Sequence, residues 1–145
     1  MNDTVKISCI IGTTDPAGCL GFTVWLDDQQ LFDTEHVYAD CLLEWEIDNS
    51  EGHHELRFAM KYKTVDHTQL DSSGNIIKDS ALTVSNIKFN NVDLGQVFIN
   101  LAEYTHNFNG TQETITEKFY GEMGCNGTVS LKFSTPIHIW LLENM

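Results

Sequence analysis

An all-β fold, an antiparallel β-sandwich of jelly-roll type with at most one short helix, is what this sequence predicts, and three observations predict it. Apolar and polar residues alternate with period two in segment after segment. Clusters of Asn, Asp, Gly and Ser punctuate those segments at short intervals, and only one brief stretch carries helical spacing. Short strands joined by turn chemistry build an antiparallel sandwich; a parallel sheet needs long crossovers between its strands.

The elements follow in order. A first strand is expected over Val5–Ile11, and a second where Phe22, Val24 and Leu26 alternate with Thr23, Trp25 and Asp27. Asp27-Asp28 supplies a tight turn into a short run at Gln30–Phe32, which makes a hairpin. Next, Leu43, Trp45 and Ile47 oppose Glu44, Glu46 and Asp48, and then Leu56, Phe58, Met60 and Tyr62 oppose Glu55, Arg57 and Lys61. Ala81–Phe89 reads as a strand closed by an Asn90-Asn91 turn. Val97–Tyr104 is the one helical piece, with Phe98, Leu101 and Ala102 on a shared face. Val129, Leu131 and Phe133 oppose Ser130, Lys132 and Ser134, and the apolar run Ile137–Leu142 is expected as a final strand. Pro16 and Pro136 stand outside the strand interiors, and residues 1–145 form a single domain without repeats or a linker.

Size and charge narrow the function. A chain of 145 residues with 41% hydrophobic and 20% charged residues is an ordinary globular domain with one core. Its 21 acidic against 8 basic residues give a net charge of −13, which repels phosphate backbones and anionic lipid surfaces. Nucleic acid and membrane partners are therefore not expected. No apolar run is long enough to span a bilayer, and MNDTVKISCIIGTT has neither the basic start nor the apolar core of a secretory signal. The scattered cysteines Cys9, Cys19, Cys41 and Cys125 read as buried thiols, with two disulfides as the alternative outside a cell.

No catalytic signature is legible: neither a G-x-S-x-G elbow nor a cysteine-protease pattern occurs, and the protein is expected not to be an enzyme. Glu44 and Glu46 could pair as in a glycosidase, but an exposed acidic strand face explains them more simply. The adjacent His53 and His54 are read as structural. The polar segment Tyr62–Asp79 is the longest interruption between strands and is expected to be a binding loop. Within it Asp66, Asp71 and Asp79 offer the hard oxygen ligands of calcium, although Asp71-Ser72-Ser73-Gly74-Asn75 also reads as a plain turn. Candidate ligand-binding residues are Tyr62, His67, Asp71, Tyr104 and Asn107, because aromatic faces stack on sugar rings while amides and carboxylates bind hydroxyls. Trp25 and Trp140 could be exposed platforms for sugar rings or, with Ile137 and Ile139, interface residues covered by another chain. The sequons at Asn2, Asn109 and Asn126 are attributed to chance.

Five segments together, V-W-L-D-D-Q, G-H-H-E-L-R-F-A-M-K-Y-K-T, D-S-S-G-N-I-I, V-S-N-I-K-F-N-N-V-D-L-G and T-P-I-H-I-W-L-L-E-N, resemble small virion structural proteins of tailed marine phages. The resemblance spans roughly Phe22–Asn144 and implies a capsid decoration, tail or baseplate component in the virion. Such a protein would contact other virion proteins or itself, as a homo-oligomer or part of a larger assembly. The strand content and the V-W-L-D-D-Q hairpin are also similar to calcium-dependent carbohydrate-binding modules of jelly-roll form. That second resemblance implies glycan partners and bound calcium, for which only Asp66, Asp71 and Asp79 match a ligand role.

Overall fold

The computed structural model describes residues 3–64 and 69–145. Strands β1 (Thr4–Thr13), β2 (Gly21–Leu26), β3 (Gln29–Thr34), β4 (Cys41–Asp48) and β5 (Gly52–Lys61) come first. A small hairpin of β6 (Gln69–Leu70) and β7 (Ile76–Lys78) leads to β8 (Leu82–Phe89), β9 (Val92–Asp93) and helix α1 (Gln96–Leu101). Strands β10 (Glu103–His106), β11 (Ile115–Lys118), β12 (Glu122–Met123) and β13 (Gly127–Thr135) precede helix α2 (Ile137–Asn144).

Two antiparallel sheets carry the core. One runs β12-β8-β1-β4, with β9 also paired to β8; the other runs β11-β10-β13-β5-β2-β3. Period-two alternation decides which side of each strand faces inward. In the six-stranded sheet, register aligns Leu26, Leu56 and Leu131 in one inward row and Val24, Phe58, Val129 and Tyr104 in the next. All of these residues are buried. They meet Val5, Ile7, Cys9 and Ile11 of β1 and Val84 and Phe89 of β8 in one hydrophobic cluster. Gly127 lies where β13 passes β10, and a Cβ there would stand 2.5 Å from the Thr105 carbonyl oxygen.

The turns follow their residues. Asp27-Asp28 joins β2 to β3, and Asn90-Asn91 joins β8 to β9 with φ of 51° and 68°, the left-handed pair that a two-residue hairpin loop needs. His54 acts structurally: Nδ1 lies 2.9 Å from Asp27 Oδ2 and Nε2 lies 3.2 Å from Thr135 Oγ1, linking the hairpin turn to the end of β13.

Several expectations need correction. Ile137–Leu142 is not a strand but the body of α2, because Ile137, Trp140 and Leu141 share the i, i+3, i+4 face that packs on the core. The expected helix over Val97–Tyr104 stops at Leu101; Glu103 and Tyr104 pair with Lys118 and Glu117 in β10. The cysteines are free: Cys9 is buried, but Cys19 and Cys41 are exposed and Cys125 is half-buried.

Candidate functional site

A groove runs along the open side of β8. On that side, register pairing occurs at Leu82–Thr83 with β12 and at Lys88–Phe89 with β9. The two short strands thus dock at opposite ends of β8 and leave its middle uncovered. On the other side, the register with β1 steps from Ser8↔Lys88 to Ile10↔Ser85, so β8 bulges there, and Asn86 adopts φ 51°. A bulge kinks its strand and re-aims side chains, and such features recur beside binding sites.

The resulting groove encloses about 390 Å³. Its floor is apolar, from the buried Val84, Ile87 and Phe98. Around it stand the exposed polar side chains of Ser85, Asn86, Asp93 and Glu122, and the Tyr120 ring at 74% exposure. Its neighbour Phe119 is fully buried, while Tyr120 faces solvent. One Asp93 oxygen accepts the Gly95 amide at 2.9 Å, which fixes the carboxylate beside the start of α1. Aromatic face, apolar floor, carboxylates, amide and hydroxyl together suit a neutral, hydroxyl-rich ligand with an apolar face. Among the described residues, no cysteine, histidine or lysine lines the groove.

The residues picked out by sequence lie elsewhere. Tyr104 is not a platform: it is 5% exposed, its hydroxyl donates to the Cys125 carbonyl and accepts the Cys125 amide at 2.9 Å, and burial pushes that hydroxyl pKa well up. Asn107 Oδ1 accepts the Gly110 amide at 2.8 Å and so closes its own turn. Tyr62 is exposed, with the Lys61 ammonium 5.1 Å from its ring centroid. Trp25 is half-covered by the Arg57 guanidinium, 5.8 Å from the ring centroid. Ile137 and Trp140 are buried core residues and present no interface, whereas Ile139 is exposed. His67 and Asp66 lie outside the described residues. Glu44 and Glu46 are exposed on edge strand β4, and Glu44 faces Lys6 at 3.5 Å.

Calcium takes about six to eight oxygen ligands from carboxylates and carbonyls. The described loop carboxylates do not fit that demand. Asp71 Oδ1 accepts the Ser73 and Asn75 amides at 2.9 Å each, the turn legible in the sequence, and the Asn75 and Ser73 amides hold its carboxyl below the ordinary range. Asp79 Oδ1 accepts the Lys63 ammonium at 2.6 Å and the Ser80 amide at 2.9 Å. Among the described residues, no group of three or more His, Cys, Asp or Glu side chains is placed to hold a metal ion.

No protein-family model and no curated protein matches the sequence. Two solved structures share the fold. A selenomethionine form of vCBM60, described in the context of a circular permutation linking two families of calcium-dependent carbohydrate binding modules, superposes with a TM-score of 0.53 at 13% identity, over 88% of this chain and 89% of its own. The complex of vCBM60 with galactobiose gives 0.52 at 14% identity, over 87% and 96%. At such identities the likeness is one of fold, and it agrees with the antiparallel sandwich derived strand by strand above.

Proposed function

We propose that this chain is a non-catalytic carbohydrate-binding domain that takes a short glycan into the groove along β8. The observation that carries the reading is Tyr120, an exposed ring at the edge of an apolar-floored groove whose rim holds Asn86, Asp93 and Glu122. A pyranose presents an apolar face for the ring and a girdle of hydroxyls that donate to carboxylates and exchange hydrogen bonds with an amide. The fold shared with vCBM60 supports the same reading. A net charge of −13 suits a neutral glycan better than a sulfated or uronic one. Of the two contact elements expected for a virion protein, Ile137–Leu142 and the Trp25 face, the first is a helix whose Ile137 and Trp140 are inside the core, so the glycan reading is preferred.

A glycan array followed by calorimetric titration, with galactobiose in the panel, tests this. Saturable binding is expected, and Tyr120→Ala is expected to weaken it about tenfold or more, a loss of about 1.4 kcal/mol. Tyr38→Ala, at an exposed tyrosine of a different groove, is the control and should bind as wild type. Absence of binding across the array, or Tyr120→Ala binding as tightly as wild type, sinks the assignment.

A further inference from the structure

We propose that the side-chain ammonium of Lys63 is the built-in cation that holds together three loops at one end of this sandwich, so that this end closes without bound metal. Lys63 follows β5 and its side chain is only 2% exposed. Three loops meet on it. Its Nζ lies 2.6 Å from Asp79 Oδ1, just before β8, and 2.5 Å from the carbonyl oxygen of Gly124, between β12 and β13. Its backbone is clamped from both sides by one amide: Asn126 Oδ1 accepts the Lys63 N–H, and Asn126 Nδ2 donates to the Lys63 carbonyl, each at 2.9 Å.

A carboxylate oxygen and a peptide carbonyl converging on one buried point are the ligand types of a hard cation. Here that point is occupied by nitrogen at hydrogen-bonding distance, and an ion bound by the same two oxygens would collide with it. Burying an ammonium is costly unless it is paired and hydrogen-bonded, and the two oxygens supply both compensations. The surrounding contacts tie the junction further. Ser80 Oγ donates to Asp15 Oδ2 at 2.7 Å, and the Tyr104 hydroxyl bridges both backbone groups of Cys125. A covalently tethered charge is always present, whereas an ion occupies its site only as free calcium allows.

The test is thermal and urea unfolding of the full chain in millimolar calcium and in excess EDTA, for wild type, Lys63→Met and Lys63→Ala. Wild type is expected to unfold at the same midpoint in both solutions. Lys63→Met, which keeps the stem and deletes the charge, should lower the folding equilibrium constant about tenfold to a hundredfold, the range left after discounting for the solvent exposure of Asp79. Lys63→Ala should lose at least as much, with the same midpoint in calcium and in EDTA, because the two freed oxygens fall short of the roughly six to eight that calcium takes. A wild-type midpoint that falls in EDTA and returns with calcium overturns the proposal, as does Lys63→Met with wild-type stability; should neither variant fold, the wild-type arm alone decides. Because stability is the readout, the outcome is independent of whether the β8 groove binds a glycan.

Discussion

Truncating Phe58 while comparing it with its chain neighbour Arg57 tests the strand register on which the sandwich depends. Phe58 is fully buried, lies in register between Val24 and Val129, and stacks on Phe22 with ring centroids 6.0 Å apart. Phe58→Ala removes a ring from the middle of the core, at a cost of about 3–5 kcal/mol. For a chain of this length each kcal/mol moves Tm by about 2–4 °C, so a loss near 4 kcal/mol lowers it by about 8–16 °C. Arg57 points to the opposite face, where its guanidinium covers Trp25 and donates to the Asp27 carbonyl at 2.8 Å. Losing one partly exposed cation–π contact and an exposed hydrogen bond costs about 1 kcal/mol, or about 2–4 °C. Urea unfolding followed by tryptophan fluorescence gives both values, provided the m-value stays constant. Equal midpoints for the two variants, or a larger loss for Arg57→Ala, would show that the inward and outward faces of β5 have been exchanged.

Two further measurements follow from the thiols and the carboxylates. A thiol reagent should label Cys19 and Cys41 rapidly in the native protein and Cys125 slowly. Cys9 should react only on unfolding, since burial, reinforced by the nearby Cys41, pushes its pKa up to about 12; rapid native labelling of all four would contradict the packing. Acid should destabilise the protein through Asp33 and Asp27. Hydrogen bonds from Lys61 and Thr23 hold the Asp33 carboxyl below its ordinary 3.8. At Asp27 burial raises the pKa, but the His54 hydrogen bond, the Glu55 amide and the charges of His54 and Arg57 together bring it lower. Both pKa values are depressed by folding, so their stabilisation is complete above about pH 5 and is lost as pH falls through the lowered values. The difference in urea midpoint between wild type and Asp33→Asn should therefore shrink as pH drops from about 5 to about 2, and a constant difference would refute the pairing.

The legible part of the fold was whatever a strand writes locally. Side chains two residues apart share a face, so Leu56, Phe58 and Met60 declare the core side of β5, and Val129, Leu131 and Phe133 that of β13, without reference to any neighbour. Asp27-Asp28 and Asn90-Asn91 likewise declare their turns, because tolerance of left-handed backbone is a property of the residue itself. The C-terminal run was ambiguous because a short, continuously apolar segment fits a buried strand and a helix equally. Ile137, Trp140 and Leu141 carried the helical spacing, but only the core they pack against selects it.

The groove and its Tyr120 are not legible in the sequence for a different reason. Its walls come from β8, β9, α1 and the segment before β12, brought together by pairings at the two ends of β8 that no local pattern encodes. Tyr104 shows the converse: an aromatic beside a turn looked exposed, yet it lies in register with Val129 and its hydroxyl is spent on Cys125. The sequence by itself thus determined the longer alternating strands, their inward faces and the acidic surface, since these depend on residue chemistry and a two-residue period. Which tyrosine meets solvent, which aspartate meets Lys63 and where a cavity opens were decided by contacts between residues distant in the chain, and those exist only once the sheets have closed.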